Sequence, residues 1–275
     1  MTPFVFPALD PVAFSFGPLA VRWYALAYIA GLLFARWYAM RLAARAPRLL
    51  EPRQVDDFLF WAVIGVIVGG RLGHVLFYEP LRFLASPLDI LKVWTGGMSF
   101  HGGLLGVAAA MVFYARRQRI PLLALADLAA VTAPAGLFLG RVANFINQEL
   151  WGRVTDVPWA VVFPRAGPEP RHPSQLYEAA LEGLLLFALL ALLARHDAVR
   201  RRPGLLTGLF LCGYALARGV AEIFREPEIL AGALPFATTY GQWLSLPMLL
   251  AGLWLARQAL VRPVQDVRLA GRRGP

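Results

Sequence analysis

Long apolar runs alternate with short arginine-rich clusters along the chain, and the runs set the architecture. Seven of them, at about 19–40, 55–78, 98–115, 122–142, 174–195, 203–224 and 240–260, can cross a hydrocarbon core of about 30 Å at about 1.5 Å per residue. The pattern predicts an all-α polytopic membrane protein: seven transmembrane helices forming a single transmembrane domain over 1–275. One connection, 143–173, is long enough for structure of its own. Its Trp151-Gly152 pair and the stretch from Pro158 to Phe163 predict a short strand and turns, a small periplasmic head inserted between spans four and five. Composition agrees. Of 275 residues 58% are hydrophobic and 16% charged, against about 25% charged in a soluble domain. A mean hydropathy of +0.56 excludes a secreted enzyme, a cytosolic domain and a disordered chain. The first residues, Met1 to Pro7, carry no basic cluster and do not read as a cleavable signal peptide.

The basic residues give direction. All but one of the 27 are arginine, and they gather between the runs rather than along a phosphate-tracking face, so nucleic acid is not an expected partner despite a net charge of +10. Alternate connections and the tail hold sixteen of them (Arg41, Arg45, Arg48 and Arg53 in the first), whereas the other connections hold six although they are longer. The positive-inside rule places the N-terminus outside and the C-terminus in the cytoplasm.

With direction assigned, the polar residues inside the spans fall at one level. Arg22, Tyr24, Arg71, His101, Arg141, Ser174, Gln175, Tyr177, Glu178, Arg218 and Gln242 all lie toward the outer leaflet, while the inner halves stay apolar. An arginine at mid-span is opposed by about 2.5–3.5 kcal/mol, less near an interface. On span six, Tyr214, Arg218, Glu222 and Arg225 form one helical stripe. For Arg22 and Arg71 a structural ion pair or a snorkelling anchor stands beside a functional role, and Gly102, Gly103 and Gly106 read equally as close helix packing. The expectation is an excess of arginine over Glu178, Glu182 and Glu222, hence a positive pocket matched to a phosphate. Cys212, the one cysteine, lies two turns inward from Arg218, so a reacting thiol would belong to a substrate. The four histidines show no ligand spacing, and neither metal nor cofactor is expected.

Read together, these stretches resemble the bacterial phosphatidylglycerol–prolipoprotein diacylglyceryl transferases. The run from Gly140 to Gly152 follows the family pattern GRxxNFxNxExxG, beside Arg22-Trp23-Tyr24, Ser99 to Leu104, Arg171 to Glu178 and Arg218 to Pro227. The resemblance covers essentially the whole chain, with departures around Ala221 and in the tail. It implies an inner-membrane enzyme that transfers the diacylglyceryl group of phosphatidylglycerol to the lipobox cysteine thiol of prolipoproteins, forming a thioether and releasing glycerol 1-phosphate. The family's functional positions fall on Tyr24, His101, Arg141, Asn144, Glu149, Gly152, Tyr214, Arg218, Glu222 and Arg225.

The chemistry suits those residues. A thiol of pKa about 8.5 must become a thiolate to attack carbon, and the departing phosphate oxygen gains charge that Arg141 and Arg218 would stabilise. His101 is read either as the base for the thiol or as a hydrogen-bonding positioner. Tyr24 and Asn144 would orient the headgroup, Glu222 would hold Arg218, and Gly152 would permit a turn. A transporter of anionic solutes is the first rival, but it would place polar groups through the full depth of the spans. An intramembrane protease lacks its serine–histidine or paired-aspartate set.

Overall fold

The computed structural model describes residues 4–7, 9–17, 19–226 and 239–264. The chain is mostly helical: α1 (Trp23–Ala43), α2 (Pro52–Phe77), α3 (Pro80–Ala85), α4 (Phe100–Gln118), α5 (Leu122–Ile146), α6 (Ser174–Glu178), α7 (Leu186–Leu193), α8 (Asp197–Arg200), α9 (Leu205–Ala221) and α10 (Tyr240–Val261). A π-helical turn, Ala179–Leu185, joins α6 to α7, so Ser174–Leu193 runs as one 20-residue span. Among the described residues four helices are long and apolar enough to cross a membrane: Pro52–Phe77, Leu122–Ile146, Ser174–Leu193 and Gly241–Val261. The other three expected spans coincide with α1, α4 and the 17-residue α9. The expected boundaries shift at two places that matter. Residues 19–22 pair as a strand before α1 starts, and α5 continues to Ile146, which brings Asn144 onto the helix.

The chain forms two compact units. Of the described residues, those within 4–38 and 127–264 make the first and 39–126 the second.

In the first unit, small residues bring helices together. A methyl on Gly208 would lie 2.7 Å from the backbone of Gly252 and of Ala256 on α10, and one on Gly183 would lie 2.6 Å from Phe138 Cβ on α5. Close backbone approach of this kind is how apolar helices associate where burial itself gives no driving force. The N-terminus of α9 is tied to α5 by the buried Asp127. Its carboxylate accepts from the Gly204 amide (2.8 Å), the Thr207 amide (2.7 Å) and the Thr207 hydroxyl (2.6 Å), satisfying donors that a helix start leaves open.

Strands β1 (Phe4–Val5), β4 (Val161–Val162) and β5 (Pro170–Arg171) form a small sheet, and β2 (Val12–Phe16) pairs antiparallel with β3 (Leu19–Arg22). β4 falls inside the stretch read as a strand. Phe6, Val161 and Phe163 make its core, with Phe6 set edge-on to Phe145 at 5.0 Å. The segment after α5 is thereby anchored on the last turn of α5 itself.

In the second unit, α2 and α4 pack through glycines: a methyl on Gly65 would stand 2.6 Å from the Gly106 carbonyl. Arg71 is buried, and its guanidinium donates to the carbonyls of Asp89, Ile90, Lys92, Gly96 and Gly97 at 2.5–3.2 Å. Five carbonyls of the α2–α4 connection converge on it, a structural role different from the ion pair or snorkelling anchor considered for it from sequence. His74 stacks on Tyr78 at 5.4 Å.

Candidate active site

Ser174, Gln175, Glu178 and Glu182 are polar, fall on one face of the α6 span, and are all completely buried. Buried ionised carboxylates require cations, and three arginines of the first unit supply them. Arg141 of α5 places Nε 2.7 Å from Glu178 and Nη2 3.5 Å from Glu182. Arg218 of α9 places Nη1 3.2 Å from Glu178 and 3.5 Å from Glu182, and its Nη2 pairs with Glu222 one turn on. Arg225, beyond α9, reaches Glu178 at 2.6 Å and Glu222 at 3.3 Å. The guanidiniums of Arg141 and Arg218 therefore converge on the same two carboxylates.

The expected surplus of positive charge is absent from this cluster. Three guanidiniums meet three carboxylates, and the set is formally neutral. Glu178 and Glu182 lie four residues apart on one buried face, so a single helix delivers two carboxylates where α9 adds its own Glu222. The side chains of Arg141 and Arg218 nevertheless stay 16% exposed, and Arg225 12%. Arg141 Nη1 has no partner among the described residues.

Past α5 the chain turns sharply. Gln148 (φ 54°) and Leu150 (φ 56°) both adopt the left-handed conformation, which is costly for side chains of this size. The turn is held from within and from α6. Asn144 Nδ2 donates to Glu149 at 3.2 Å, the Glu149 amide donates to the Asn144 carbonyl at 2.9 Å, and Asn147 Nδ2 lies 3.4 Å from Glu149. Gln175 Nε2 donates to the Glu149 carbonyl (2.6 Å) and Ser174 Oγ to that of Leu150 (3.0 Å). Beside the turn opens a cavity of about 650 Å³ lined by Tyr24, Asn144, Gln148, Glu149, Leu150, Trp151 and Arg165. It contains a carboxylate, a guanidinium, two amides and a phenol against apolar walls, the mixture that fixes an amphipathic ligand.

Gly152 works differently from the turn expected of it. Its φ is not in the left-handed range, but a methyl there would lie 2.5 Å from the Phe224 carbonyl and 2.7 Å from the His172 carbonyl. The glycine lets two backbones close on either side: its amide donates to His172 (2.9 Å) and the Arg153 amide to Phe224 (2.9 Å). An isolated β-bridge joins Gly152 to Arg225, so this contact sets where Arg225 begins. His172 caps the junction, with Nδ1 3.1 Å from the Tyr177 hydroxyl and its ring edge-on to Phe224. Burial holds its imidazole below its ordinary pKa.

This constellation can be set against known proteins. The family model described as prolipoprotein diacylglyceryl transferase matches residues 11–257. The chain belongs to that family. It is 55% identical over 96% of its length to the phosphatidylglycerol–prolipoprotein diacylglyceryl transferase of Gluconacetobacter diazotrophicus, covering 95% of that protein. It is 56% identical over 94% to that of Rhodospirillum centenum (95% covered), and 58% identical over 90% to that of Rhodospirillum rubrum (91% covered). Apolar helices and family together make it a bacterial membrane protein with transferase relatives.

The positions carried over from the prolipoprotein diacylglyceryl transferases sort into three groups. Arg141, Arg218, Glu222 and Arg225 meet at the charged cluster, with Tyr214 one turn before Arg218 and its ring against Phe210. Tyr24, Asn144 and Glu149 line the cavity, and Gly152 sets the backbone junction. His101 belongs to the second unit, exposed in the first turn of α4. Sequence reasoning offered Glu178 and Glu182 as partners for some of the arginines but not as the anions that organise them, and it left out Gln175 and Ser174 as clamps on the turn and Arg165 of the cavity. The i, i+1, i+4, i+8 spacing of Ser174, Gln175, Glu178 and Glu182 was the available signal for four of them. Arg165, in a loop, offered none. Among the described residues no three His, Cys, Asp or Glu side chains are placed to hold a metal.

Proposed function

We propose that this chain transfers the diacylglyceryl group of phosphatidylglycerol to the thiol of a prolipoprotein's lipobox cysteine, releasing glycerol 1-phosphate. The single observation that carries this reading at the level of geometry is the convergence of Arg141, Arg218 and Arg225, partly exposed, with Arg141 just before the cavity-lining Asn144 of α5 and the turn that bears Glu149. The substrate thiolate attacks the glyceryl carbon and forms the C–S bond. The C–O bond to phosphate breaks, its electron pair stays on the phosphate oxygen, and the thiol proton leaves to a base. Guanidinium N–H groups not spent on carboxylates stabilise that developing oxyanion, and their partners hold them in place beforehand, so little reorganisation accompanies the step. Tyr24, Asn144 and Glu149 orient the glycerol headgroup through hydroxyl and amide contacts. His101 serves as the base or as a hydrogen-bonding positioner.

The same reading includes seven spans, a single membrane domain, the 143–173 head on the periplasmic side, an outside N-terminus and an active site near the outer leaflet of the inner membrane, with membrane lipid around it. The arginine distribution between connections supports it. The test is reconstitution of the purified chain with phosphatidylglycerol and a lipobox peptide. The expected result is a diacylglyceryl mass gain on the peptide cysteine, lost when that cysteine is replaced by serine. Intact phosphatidylglycerol with an unmodified peptide overturns the reading.

A further inference from the structure

Glu178 is the one carboxylate among the described residues that contacts all three arginines of the cluster, Arg141 at 2.7 Å, Arg218 at 3.2 Å and Arg225 at 2.6 Å. Arg218 and Arg225 are neighbours through Glu222, but Arg141 comes from α5, so local sequence does not bring all three guanidiniums together. Glu178 is completely buried and cannot itself meet a substrate. One turn earlier on the same helix face, Ser174 and Gln175 grip the carbonyls of Leu150 and Glu149, the turn that lines the cavity. A single short helix thus fixes the guanidiniums and the cavity wall against the same backbone.

We propose that Glu178 is the positioning residue of this site, holding the Arg141, Arg218 and Arg225 guanidiniums in register with the Glu149–Leu150 turn. This rests on the transfer reading above and adds to it a residue that acts only through the arginines. Glu182 and Glu222 do not substitute for it. Glu182 stands 3.5 Å from Arg141 and from Arg218, farther than Glu178 stands from either, and Glu222 touches only Arg218 and Arg225 of the three. Replacing Glu178 with Gln turns a formally neutral cluster into one of net charge +1 and puts an amide donor against guanidinium donors. A positioning role therefore has a distinctive signature: the phosphate is attracted at least as strongly, but the donors that should meet the transition state point elsewhere.

The test uses the full chain in phosphatidylglycerol proteoliposomes with a lipobox peptide, comparing Glu178→Gln, Arg218→Lys and the double variant. The expected result is a kcat lowered at least about tenfold in Glu178→Gln with the phosphatidylglycerol KM unchanged or lower. Arg218→Lys should then cost far less in the Glu178→Gln background than in the wild type, because the residues act as a unit. Glu178→Asp, which keeps the charge but withdraws it by one methylene, should recover part of the loss, and it carries the same cycle if the Gln variant does not accumulate in membranes. Wild-type kcat in Glu178→Gln, a rise in KM alone, or additive losses in the cycle overturn the proposal while leaving the transfer reading intact. A wild-type chain that yields no thioether overturns the transfer reading first.

Discussion

Gly152 offers the sharpest test of how the site is held together. Substitution by alanine adds one methyl between two strands of backbone that already touch. That carbon would sit 2.5 Å from the Phe224 carbonyl and 2.7 Å from both the His172 carbonyl and Cβ. Ordinary contact begins near 3.4 Å, so the two backbones must separate by several tenths of an ångström in a place where neither is free. On one side lies the Gly152-to-His172 hydrogen bond, on the other the Arg153-to-Phe224 bond, both 2.9 Å. Overpacking of this kind costs about 1–3 kcal/mol, and weakening one or two hydrogen bonds adds about 0.5–1.5 kcal/mol each. The expected loss in unfolding free energy is therefore about 1.5–6 kcal/mol. Arg225, bridged directly to Gly152 and bound by Glu178, should be displaced with it, so turnover should fall even where the variant remains folded. Unfolding in detergent and thioether formation in proteoliposomes read the two effects separately. Gly152→Ala with wild-type stability and wild-type turnover would refute the reasoning.

Arg141→Lys and Arg218→Lys keep the charge but lose the planar fork that spans Glu178 and Glu182, and each should lower turnover by about a hundredfold in the reconstituted assay; full activity in either removes that residue from the phosphate-stabilising set. Arg71→Gln leaves most of five converging carbonyls without their donor and should destabilise the chain by more than about 3 kcal/mol, with hydrogen exchange rising first across residues 87–97. His172 sits outside the spans with its pKa lowered by burial, so the unfolded chain takes up the proton before the folded one. Its contribution is complete above the unfolded value of about 6.5 and declines as pH falls below it; His172→Gln should flatten the acid side of the stability-against-pH curve, and an unchanged slope would count against that assignment.

The helices were legible because lipid leaves a chain little choice. Apolar runs of about 20 residues must satisfy their backbone internally, so the sequence announces them directly. The same holds for the stripe that begins on α9 with Arg218 and runs past its end, where Glu222 pairs with both Arg218 and Arg225. α5 runs four residues past its expected end at 142, where Phe145 packs on Phe6 and Phe163 and the helix continues beneath them. Gly152 was recognised as special but for the wrong reason, since the clash it avoids involves carbonyls 20 and 72 positions away.

What the sequence determined alone was the family, the apolar spans and the residue types brought to the chemistry, because each follows from composition or from a contiguous motif. Only the tertiary structure decided the electrostatics. Counting arginines along the chain gave an excess of positive charge, and the folded cluster is neutral because α6 buries Glu178 and Glu182 against guanidiniums from α5 and α9. Coulomb energy depends on separation in space, which a linear chain does not record, and burial sharpens that dependence by removing the water that would otherwise screen it.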